Sequence, residues 1–168
     1  MLNDEQIEGF FRDCDLNLID CVCKDQLPNK RYIGDYVINM QNSDMGGGTH
    51  WVFCKINPSC GIYFDSFGVY CPEEVKNFIH PLKIVYNTRQ IQDLKSEMCG
   101  FFSSACGYYL KYDSDPKKAI EDNFEDFLSM FSDDTKKNDA ILKEYLKKNS
   151  VLRVTPRGAE SFECWKLI

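Results

Sequence analysis

The segment from residue 50 to residue 65 limits the possible folds more than any other part of the sequence. Residues 50–56 (HWVFCKI) and 62–65 (IYFD) are predicted to be the two strands of a β-hairpin, and residues 57–61 (NPSCG) form its turn. Both faces of these strands are mostly apolar, which is typical of a central strand pair covered by helices on both sides. The sequence therefore predicts a small β-sheet packed between helices.

A second apolar segment supplies a helix for the core. Residues 99–112 carry apolar side chains around most of a helical surface, which indicates a helix inside the core. Weaker patterns predict helices over 2–11, from Pro116 onward and over 138–148, strands over 32–40 and 83–86, and irregular chain over 20–30. Asn3 and Gln6 form a candidate capping box, and Asp115-Pro116 is a typical helix start. The predicted fold class is α+β, with a small mixed sheet between helices.

The whole chain, residues 1–168, fits a single domain. It has 168 residues, of which 43% are hydrophobic, and its net charge is −6. The region that carries the sequence motifs described below covers about residues 20–112, and a helical part covers about residues 116–150. No apolar run reaches the roughly 18–20 residues of a membrane-spanning helix, and the polar start does not look like a signal peptide. We expect a soluble monomer that is not secreted and does not bind membranes.

Nine cysteines are many for a chain of this length, but their spacing does not predict a metal site. No CxxC pair occurs, and the two histidines, His50 and His80, are far apart in the sequence. Structural zinc sites usually contain closely spaced pairs of ligands. We therefore expect no metal and no cofactor, and we interpret most of the cysteines as small buried residues of a protein from a reducing compartment.

His50 and Asp65 lie at the open ends of the two predicted hairpin strands. A turn centred on residues 57 and 58 places them directly opposite each other, with Cβ atoms about 4.5–5.5 Å apart. An imidazole and a carboxylate at this separation can form a hydrogen bond that fixes the tautomer and stabilises the imidazolium. A different turn would shift the register, and a lone histidine packed in the core is the alternative interpretation.

Cys99 is predicted to lie at the amino terminus of the core helix. The helix dipole and the free N–H groups at this position favour a thiolate, and a nearby His50 would favour it further. Gly100 allows a tight turn and leaves space beside the sulfur. Cys106 falls on the same helix face two turns deeper, and we interpret it as an inert core residue. The sequence therefore predicts one activated cysteine beside one histidine.

Four motifs follow one another along the chain: the string GGTHWVF around His50, the string YFDSFG around Asp65, the residue Gln92, and the string CGFF that begins at Cys99. Together they resemble the adenain family, the cysteine proteases of adenoviruses with relatives in virophages and Maverick/Polinton elements. Their order of His, Asp or Glu, Gln and Cys is similar to that of the wider Ulp/sentrin-protease clan. The resemblance covers residues from about 20 to 112 and implies a papain-like catalytic arrangement of the adenain/Ulp type.

The resemblance implies a role for one residue of each motif. Cys99 would be the nucleophile, His50 the general base and acid, and Asp65 the group that orients His50. Gln92 would donate its side-chain amide to the oxyanion, together with the backbone N–H of Cys99. Taken by itself, Gln92 could equally be the amide of an ordinary loop residue.

The resemblance also implies residues that contact the substrate. Trp51 would form one wall of a narrow groove that binds a glycine of the substrate, and Gly48 and Gly100 would line the same site. Taken by itself, Trp51 could instead fill the core. His80 belongs to no motif of the family, and we interpret it as a surface residue.

The activity implied by the resemblance is that of a cysteine endopeptidase, which cleaves capsid or other virion precursor proteins at Gly-Gly or Gly-X sites during particle maturation. The virion and the infected host cell would be its location. A peptide activator is also implied, although residues 81–91 contain no cysteine for an activating disulfide. The acidic charge and the lack of a basic stripe argue against activation by DNA. A deubiquitinase or deSUMOylase-like isopeptidase is the alternative enzyme, and a non-enzymatic scaffold is the alternative from another class.

Overall fold

The computed structural model describes residues 1–47 and 49–151. The elements in this part of the chain are α1 Asp4–Asp13, β1 Leu18–Cys23, β2 Gly34–Asn39, β3 Trp51–Ile56, β4 Cys60–Phe64, α2 Glu73–Ile79, β5 Lys83–Tyr86, α3 Cys99–Tyr112, α4 Ile120–Ser129 and α5 Asn138–Val151. Two short 3-10 helices, Lys24–Gln26 and Thr135–Lys137, follow β1 and precede α5. Among the described helices, none is both long enough and apolar enough to cross a lipid bilayer.

The five strands form one mixed sheet in the order β1-β2-β3-β4-β5. Strand β3 is antiparallel to both of its neighbours, whereas β1 is parallel to β2 and β5 is parallel to β4. The carboxyl ends of β1, β2, β4 and β5 therefore lie at the same edge of the sheet as the amino end of β3. We call this the upper edge; Asn39, Asp65 and Asn87 stand there at strand ends, and His50 precedes β3. The predicted α+β class with a small mixed sheet is confirmed.

Helices cover both faces of the sheet, as the apolar hairpin predicts. On one face, Phe53 and Phe64 belong to the larger core cluster, together with residues of α1, α3, α4 and α5. On the other face, Tyr63 packs with Val75 and Ile79 of α2 in a smaller cluster. Because successive strand residues point to opposite faces, the hairpin contributes side chains to both clusters. The central position of the hairpin in the sheet follows from this packing.

Most of the predicted helices and strands are confirmed. Helix α3 and strand β5 have the predicted bounds, and α5 contains the predicted residues 138–148. At the start of α1, the Asn3 side chain accepts a hydrogen bond from the Gln6 backbone N–H (2.8 Å), and the Gln6 side chain accepts one from the Asn3 N–H (2.9 Å). This capping box satisfies two N–H groups that the helix itself leaves unpaired.

The predicted helix start at Pro116 is wrong, because α4 begins at Ile120. Asp115 closes a turn instead, since its side chain accepts a hydrogen bond from the Lys117 backbone N–H (2.9 Å). The Asn123 side chain then accepts from the Asp115 N–H (2.7 Å) and donates to the Asp115 carbonyl (2.9 Å). An aspartate that caps an isolated turn has the same local signature as one that caps a helix.

The sequence analysis misses two elements on either side of the hairpin. The prediction of irregular chain over residues 20–30 is wrong for its first part, which belongs to β1. All residues of β1 are half-buried, so this edge strand, which pairs only with β2, lacks the alternation that marks a strand. Helix α2 has only seven residues, and packing of Val75 and Ile79 against the sheet stabilises it more than intrinsic propensity does.

The hairpin is present, but its predicted register is wrong by two residues. Phe53 pairs with Phe64, and the two loop residues are 58 and 59. Extending this register places His50 diagonally across from Asp65 rather than directly opposite. A shift by two residues keeps every side chain on its predicted face. His50 and Asp65 therefore still share a face, at the distance of diagonal neighbours.

Candidate active site

His50, Asp65 and Cys99 meet at the upper edge of the sheet. His50 directly precedes β3, Asp65 directly follows β4, and Cys99 is the first residue of α3, which packs against β3. The side chains of His50 and Asp65 are 15% and 5% exposed, and Cys99 is 2% exposed. The three side chains therefore occupy a corner from which most water is excluded, where electrostatic interactions are strong.

The imidazole of His50 is held on two sides. Its Nε2 donates a hydrogen bond to Oδ1 of Asp65 over 2.8 Å. Its ring lies against the ring of Phe67, with centroids 4.7 Å apart and an angle of 31° between the planes. The same Oδ1 of Asp65 also accepts a hydrogen bond from the Phe67 backbone N–H (2.8 Å). The carboxylate that orients the imidazole is thus itself fixed by the backbone.

Because Asp65 binds Nε2, the other ring nitrogen of His50, Nδ1, is left for Cys99. Nδ1 is buried and makes no hydrogen bond of regular geometry to any of the described residues. The Cys99 side chain is nevertheless close enough to His50 to raise its pKa. Contacts between a catalytic base and its partner are often long in the free protein and shorten when substrate binds. The structure therefore places a ring nitrogen and a thiol side by side.

The surroundings of His50 stabilise its protonated form. Burial lowers the pKa of His50, but the hydrogen bond to Asp65, the adjacent Cys99 side chain and the charges of both groups outweigh burial and raise the pKa to about 9. At neutral pH the ring is therefore an imidazolium, and its positive charge lies next to the Cys99 side chain. In contrast, burial raises the pKa of the Cys106 thiol well above its ordinary value, which supports its interpretation as an inert core residue.

We expect this pair to give an alkaline limit of activity near pH 9. The raised pKa of His50 means that the imidazolium persists as the pH increases, and it is lost only as the pH passes about 9. A plot of kcat/KM for a peptide substrate against pH should therefore fall on the alkaline side with an apparent pKa of about 9. A fall centred at about 6.5, the value of an isolated imidazole, would contradict the stabilisation by Asp65 and Cys99.

The side-chain amide of Gln92 is oriented at both ends. Its Oε1 accepts a hydrogen bond from the Ser66 hydroxyl (2.6 Å), and its Nε2 donates to the Ser96 backbone carbonyl (2.7 Å). These partners identify the oxygen and nitrogen ends of the amide. One N–H of Nε2 has no partner among residues 1–47 and 49–151. Because Ser96 lies in the loop that leads into Cys99, this hydrogen bond ties the Gln92 amide to the chain just before α3.

Two buried residues that the sequence analysis misses hold the chain around Asp65. Asn87, directly after β5, accepts a hydrogen bond from the Asp65 N–H (3.2 Å) and donates to the Asp65 carbonyl (2.7 Å). The Ser66 carbonyl accepts hydrogen bonds from the backbone N–H groups of Ile91 (2.8 Å) and Gln92 (2.9 Å). Only their positions in the sequence could have indicated these residues. Ser66 directly follows the predicted strand 62–65, and Asn87 directly follows the predicted strand 83–86.

Gly68 closes the turn that carries Asp65, and its replacement should destabilise the protein. The Gly68 N–H donates to the Asp65 carbonyl (2.8 Å), and its φ is +72°. A Cβ at this position would lie 2.8 Å from backbone atoms of Thr88 and Arg89. We expect Gly68→Ala to lower the free energy of unfolding in urea by about 2 kcal/mol or more. The control Gly47→Ala, whose Cβ would meet nothing within 4 Å, should change it by less than about 0.5 kcal/mol, and an equally small change for Gly68→Ala would contradict the prediction.

The helical C-terminal part holds the loop between β5 and α3. The Asn138 side chain donates to the Ile91 carbonyl (2.9 Å), and the Ser96 hydroxyl donates to Oδ1 of Asp139 (2.9 Å). At the start of the loop, Arg89 donates to the Leu128 carbonyl in α4 and to the Phe131 carbonyl just after it. The sequence assigns no role to this part of the chain. In the structure, this C-terminal part forms hydrogen bonds that hold the loop containing Gln92, the predicted oxyanion donor.

Comparisons with known proteins give a limited likeness. No protein-family model matches the sequence, and no curated protein matches it. Among solved structures, the ASFV pS273R protease matches with a TM-score of 0.44 and 21% sequence identity over 75% of this chain, which spans about half (47%) of that protease. The SUMO protease Ulp1, solved with its catalytic cysteine oxidized to a sulfinic acid, matches with a TM-score of 0.42 and 15% identity over 86% of this chain and 78% of its own.

The three residues that are predicted to contact the substrate have different surroundings. Trp51 is buried beside His50, and its indole N–H donates to the Leu2 carbonyl (2.9 Å), so it fills the core whether or not it also contacts a substrate. A Cβ on Gly100 would lie 3.0 Å from the Leu2 Cβ, so this glycine makes room for Leu2 instead of leaving open space. Gly48 lies outside the described residues. Contacts of these three residues with a substrate stay predictions.

His80 lies away from the upper edge. It is exposed and directly follows α2, shortly before the amino end of β5, which is at the opposite edge of the sheet. In the part of the chain that the structure describes, no three His, Cys, Asp or Glu side chains come together as ligands for a metal ion. Cys99 is therefore paired with His50, and His80 has no part in the site.

Proposed function

We propose that this chain is a cysteine endopeptidase. One observation carries the proposal: Nε2 of His50 is bound to a buried carboxylate, which leaves Nδ1 beside a cysteine at the first position of a helix. A nucleophile, a base and a group that orients the base are the parts that activate a thiol for attack on a carbonyl. The described residues supply these parts in the pairing that the motif resemblance implies.

The proposed reaction begins when the Cys99 sulfur attacks the carbonyl carbon of the scissile peptide bond. The carbonyl oxygen becomes an oxyanion, and the free N–H of Gln92 and the backbone N–H of Cys99 donate to it. The Cys99 N–H is available because the first N–H groups of a helix have no intrahelical partner. His50 gives its proton to the leaving amine, and a thioester forms. His50 then takes a proton from water, which attacks the thioester and releases the carboxylic acid and the thiolate.

The proposed substrates are capsid or other virion precursor proteins with Gly-Gly or Gly-X sites, processed in the virion or the infected cell. The four motifs, which resemble those of adenoviral proteases, support this choice. The motif around His50 includes Trp51, which the resemblance places at a narrow groove for a glycine of the substrate. We propose that the protein acts as a monomer. We also propose that any peptide activator binds without forming a disulfide to residues 81–91, which contain no cysteine.

Cleavage assays with two sets of substrates test the proposal. The purified protein is incubated with a library of Gly-Gly and Gly-X peptides and, in parallel, with fluorogenic C-terminal conjugates of ubiquitin and SUMO. Cys99→Ala is the matched control for contaminating proteases. We expect hydrolysis of the peptides by the unsubstituted protein and none by Cys99→Ala. Fast and selective turnover of a ubiquitin-like conjugate would replace the endopeptidase with the isopeptidase.

Alkylation distinguishes an enzyme from a non-enzymatic scaffold. At about pH 6, we expect Cys99 to react with iodoacetamide at least about tenfold faster than a model thiol, because the His50 imidazolium favours the thiolate. Mass spectrometry of the digested protein assigns the rate to Cys99, and the fully buried Cys106 is the internal control. A Cys99 rate no higher than that of the model thiol would exclude an activated nucleophile.

We expect duplex DNA to leave the cleavage rate unchanged. The net charge is −6. Arg89, which could join Lys83 and Lys95 in a basic patch, donates to the Phe131 carbonyl and pairs with Asp133 (2.9 Å). Few phosphate contacts then remain, and binding to DNA depends on their number. The rate is measured with and without duplex DNA at low and at physiological salt. A stimulation of about tenfold or more that disappears with added salt would contradict this expectation.

A further inference from the structure

We propose that Ser66 is a positioning residue for the reaction, which holds and polarises the Gln92 amide so that its free N–H is directed at the oxyanion. The inference rests on the proposed cysteine peptidase function and assigns a role to a residue that lies in one of the four motifs but to which the resemblance gives no role. Ser66 is 1% exposed, and it directly follows Asp65 in the chain. Its role follows from what its hydroxyl and its carbonyl bind.

Ser66 contacts Gln92 through both its side chain and its backbone. The hydroxyl donates to Oε1 of Gln92 over 2.6 Å, and the carbonyl accepts from the Gln92 N–H over 2.9 Å. At the other end of the amide, the Ser96 carbonyl accepts from Nε2 over 2.7 Å. Since a carbonyl can only accept, a flipped amide would place two oxygens against each other at Ser96. Both ends of the amide are thus bound, and a single N–H remains for a ligand.

Loss of the Ser66 hydroxyl should move this N–H away from its position. Oε1 of Gln92 would become a buried acceptor without a donor, which is unfavourable unless the amide rotates to find another partner. Rotation of the amide plane misdirects the free N–H. The hydroxyl also polarises the amide, because donation to the oxygen makes the N–H a better donor. Both effects weaken stabilisation of the oxyanion and not binding of the substrate.

The position of Ser66 also links the two halves of the site. Asp65 orients His50, and the next residue orients Gln92, so one turn of chain at the end of β4 sets both the base and the oxyanion donor. Asn87 fixes this turn from the side of β5. The Ser66 hydroxyl takes no part in the hydrogen bond between His50 and Asp65, so we expect Ser66→Ala to keep that bond. Its effect should therefore be separable from that of a change in the base.

A double-mutant cycle between Ser66 and Gln92 tests the inference. We expect Ser66→Ala to lower kcat by about 10- to 100-fold, with KM unchanged within about twofold, because part of an oxyanion donor is lost. In a Gln92→Ala background, the same change should lower kcat by less than about twofold, since the group through which it acts is absent. The alkaline limit near pH 9 should not move. Ser104→Ala, at a fully buried serine whose hydroxyl has no partner among the described residues, is the matched control and should leave kcat unchanged.

A second measurement does not depend on turnover. The side-chain NH2 signals of Gln92 in a ¹H–¹⁵N spectrum, assigned by their absence from Gln92→Ala, should shift in Ser66→Ala and stay in place in Ser104→Ala. Unchanged Gln92 signals overturn the inference, and so do equal losses of kcat in both backgrounds of the cycle. If the unsubstituted protein cleaves no peptide, the proposed function fails, and the Gln92 signals alone decide whether Ser66 orients the amide.

Discussion

Replacement of Cys99 by alanine is expected to abolish peptide hydrolysis while the protein stays folded. Cys99 is the cysteine that interacts with His50, and removal of a nucleophile lowers kcat by more than about a thousandfold in enzymes of this type. Alanine is the best helix former, so the first turn of α3 should tolerate it. Hydrolysis of a cleaved peptide and unfolding in urea, measured on the same preparations, check both parts of the expectation.

Cys106→Ala is the matched control for this substitution. Cys106 lies in the same helix and is fully buried, but burial raises its pKa and it has no catalytic partner in the proposed mechanism. We expect this variant to lose some stability through the small cavity and to keep its kcat. Residual hydrolysis by Cys99→Ala above about one part in a thousand, with contaminating proteases excluded, would mean that another residue is the nucleophile.

Local patterns were sufficient where an element is determined by its own residues. The capping box of Asn3 and Gln6 and the bounds of α3 and β5 could be predicted because the interactions that define them lie within the element or immediately beside it. The apolar character of residues 99–112 left no alternative to a core helix. The α+β class follows from these elements together with the hairpin.

The hairpin register could not be predicted from its pattern. The pattern allows several pairs of residues between 57 and 61 to form the turn. In the structure, a hydrogen bond from the Asn57 N–H to the Cys60 carbonyl closes it around residues 58 and 59. The prediction that His50 and Asp65 share a face was insensitive to this error, because strand side chains alternate with a period of two. Their hydrogen bond over 2.8 Å shows that a diagonal pair at the end of a hairpin is close enough.

The residues that support the site were beyond a reading of sequence. Ser66, Asn87 and Asn138 are polar and buried, and polarity in a sequence ordinarily indicates exposure. Their positions become meaningful only when the parallel strands bring the ends of β4 and β5 to one edge and α5 packs beside the loop. A buried polar residue needs a partner, and that partner is distant in the chain in each of these cases.

The substitution Asp65→Asn is expected to harm catalysis far more than Asp65→Glu. Asparagine keeps the size of the side chain but removes the charge that stabilises the His50 imidazolium, and it can favour the wrong tautomer. We expect kcat/KM to fall by about a thousandfold or more, by analogy with such changes in other triads. The alkaline limit should also move down from about 9, by about one to three pH units, since burial alone lowers the pKa of His50.

Glutamate at position 65 retains the charge on a longer arm. Oδ1 of Asp65 accepts from both His50 and the Phe67 N–H, and a longer side chain cannot keep both contacts in place without a shift. We therefore expect Asp65→Glu to lower kcat/KM by about tenfold, with the alkaline limit still near pH 9. Asp122→Asn, an exposed carboxylate on α4, controls for loss of one negative charge and should match the unsubstituted protein. Equal kinetics and equal pH profiles for the Asn and Glu variants would remove Asp65 from the mechanism, because only the charge next to His50 distinguishes them.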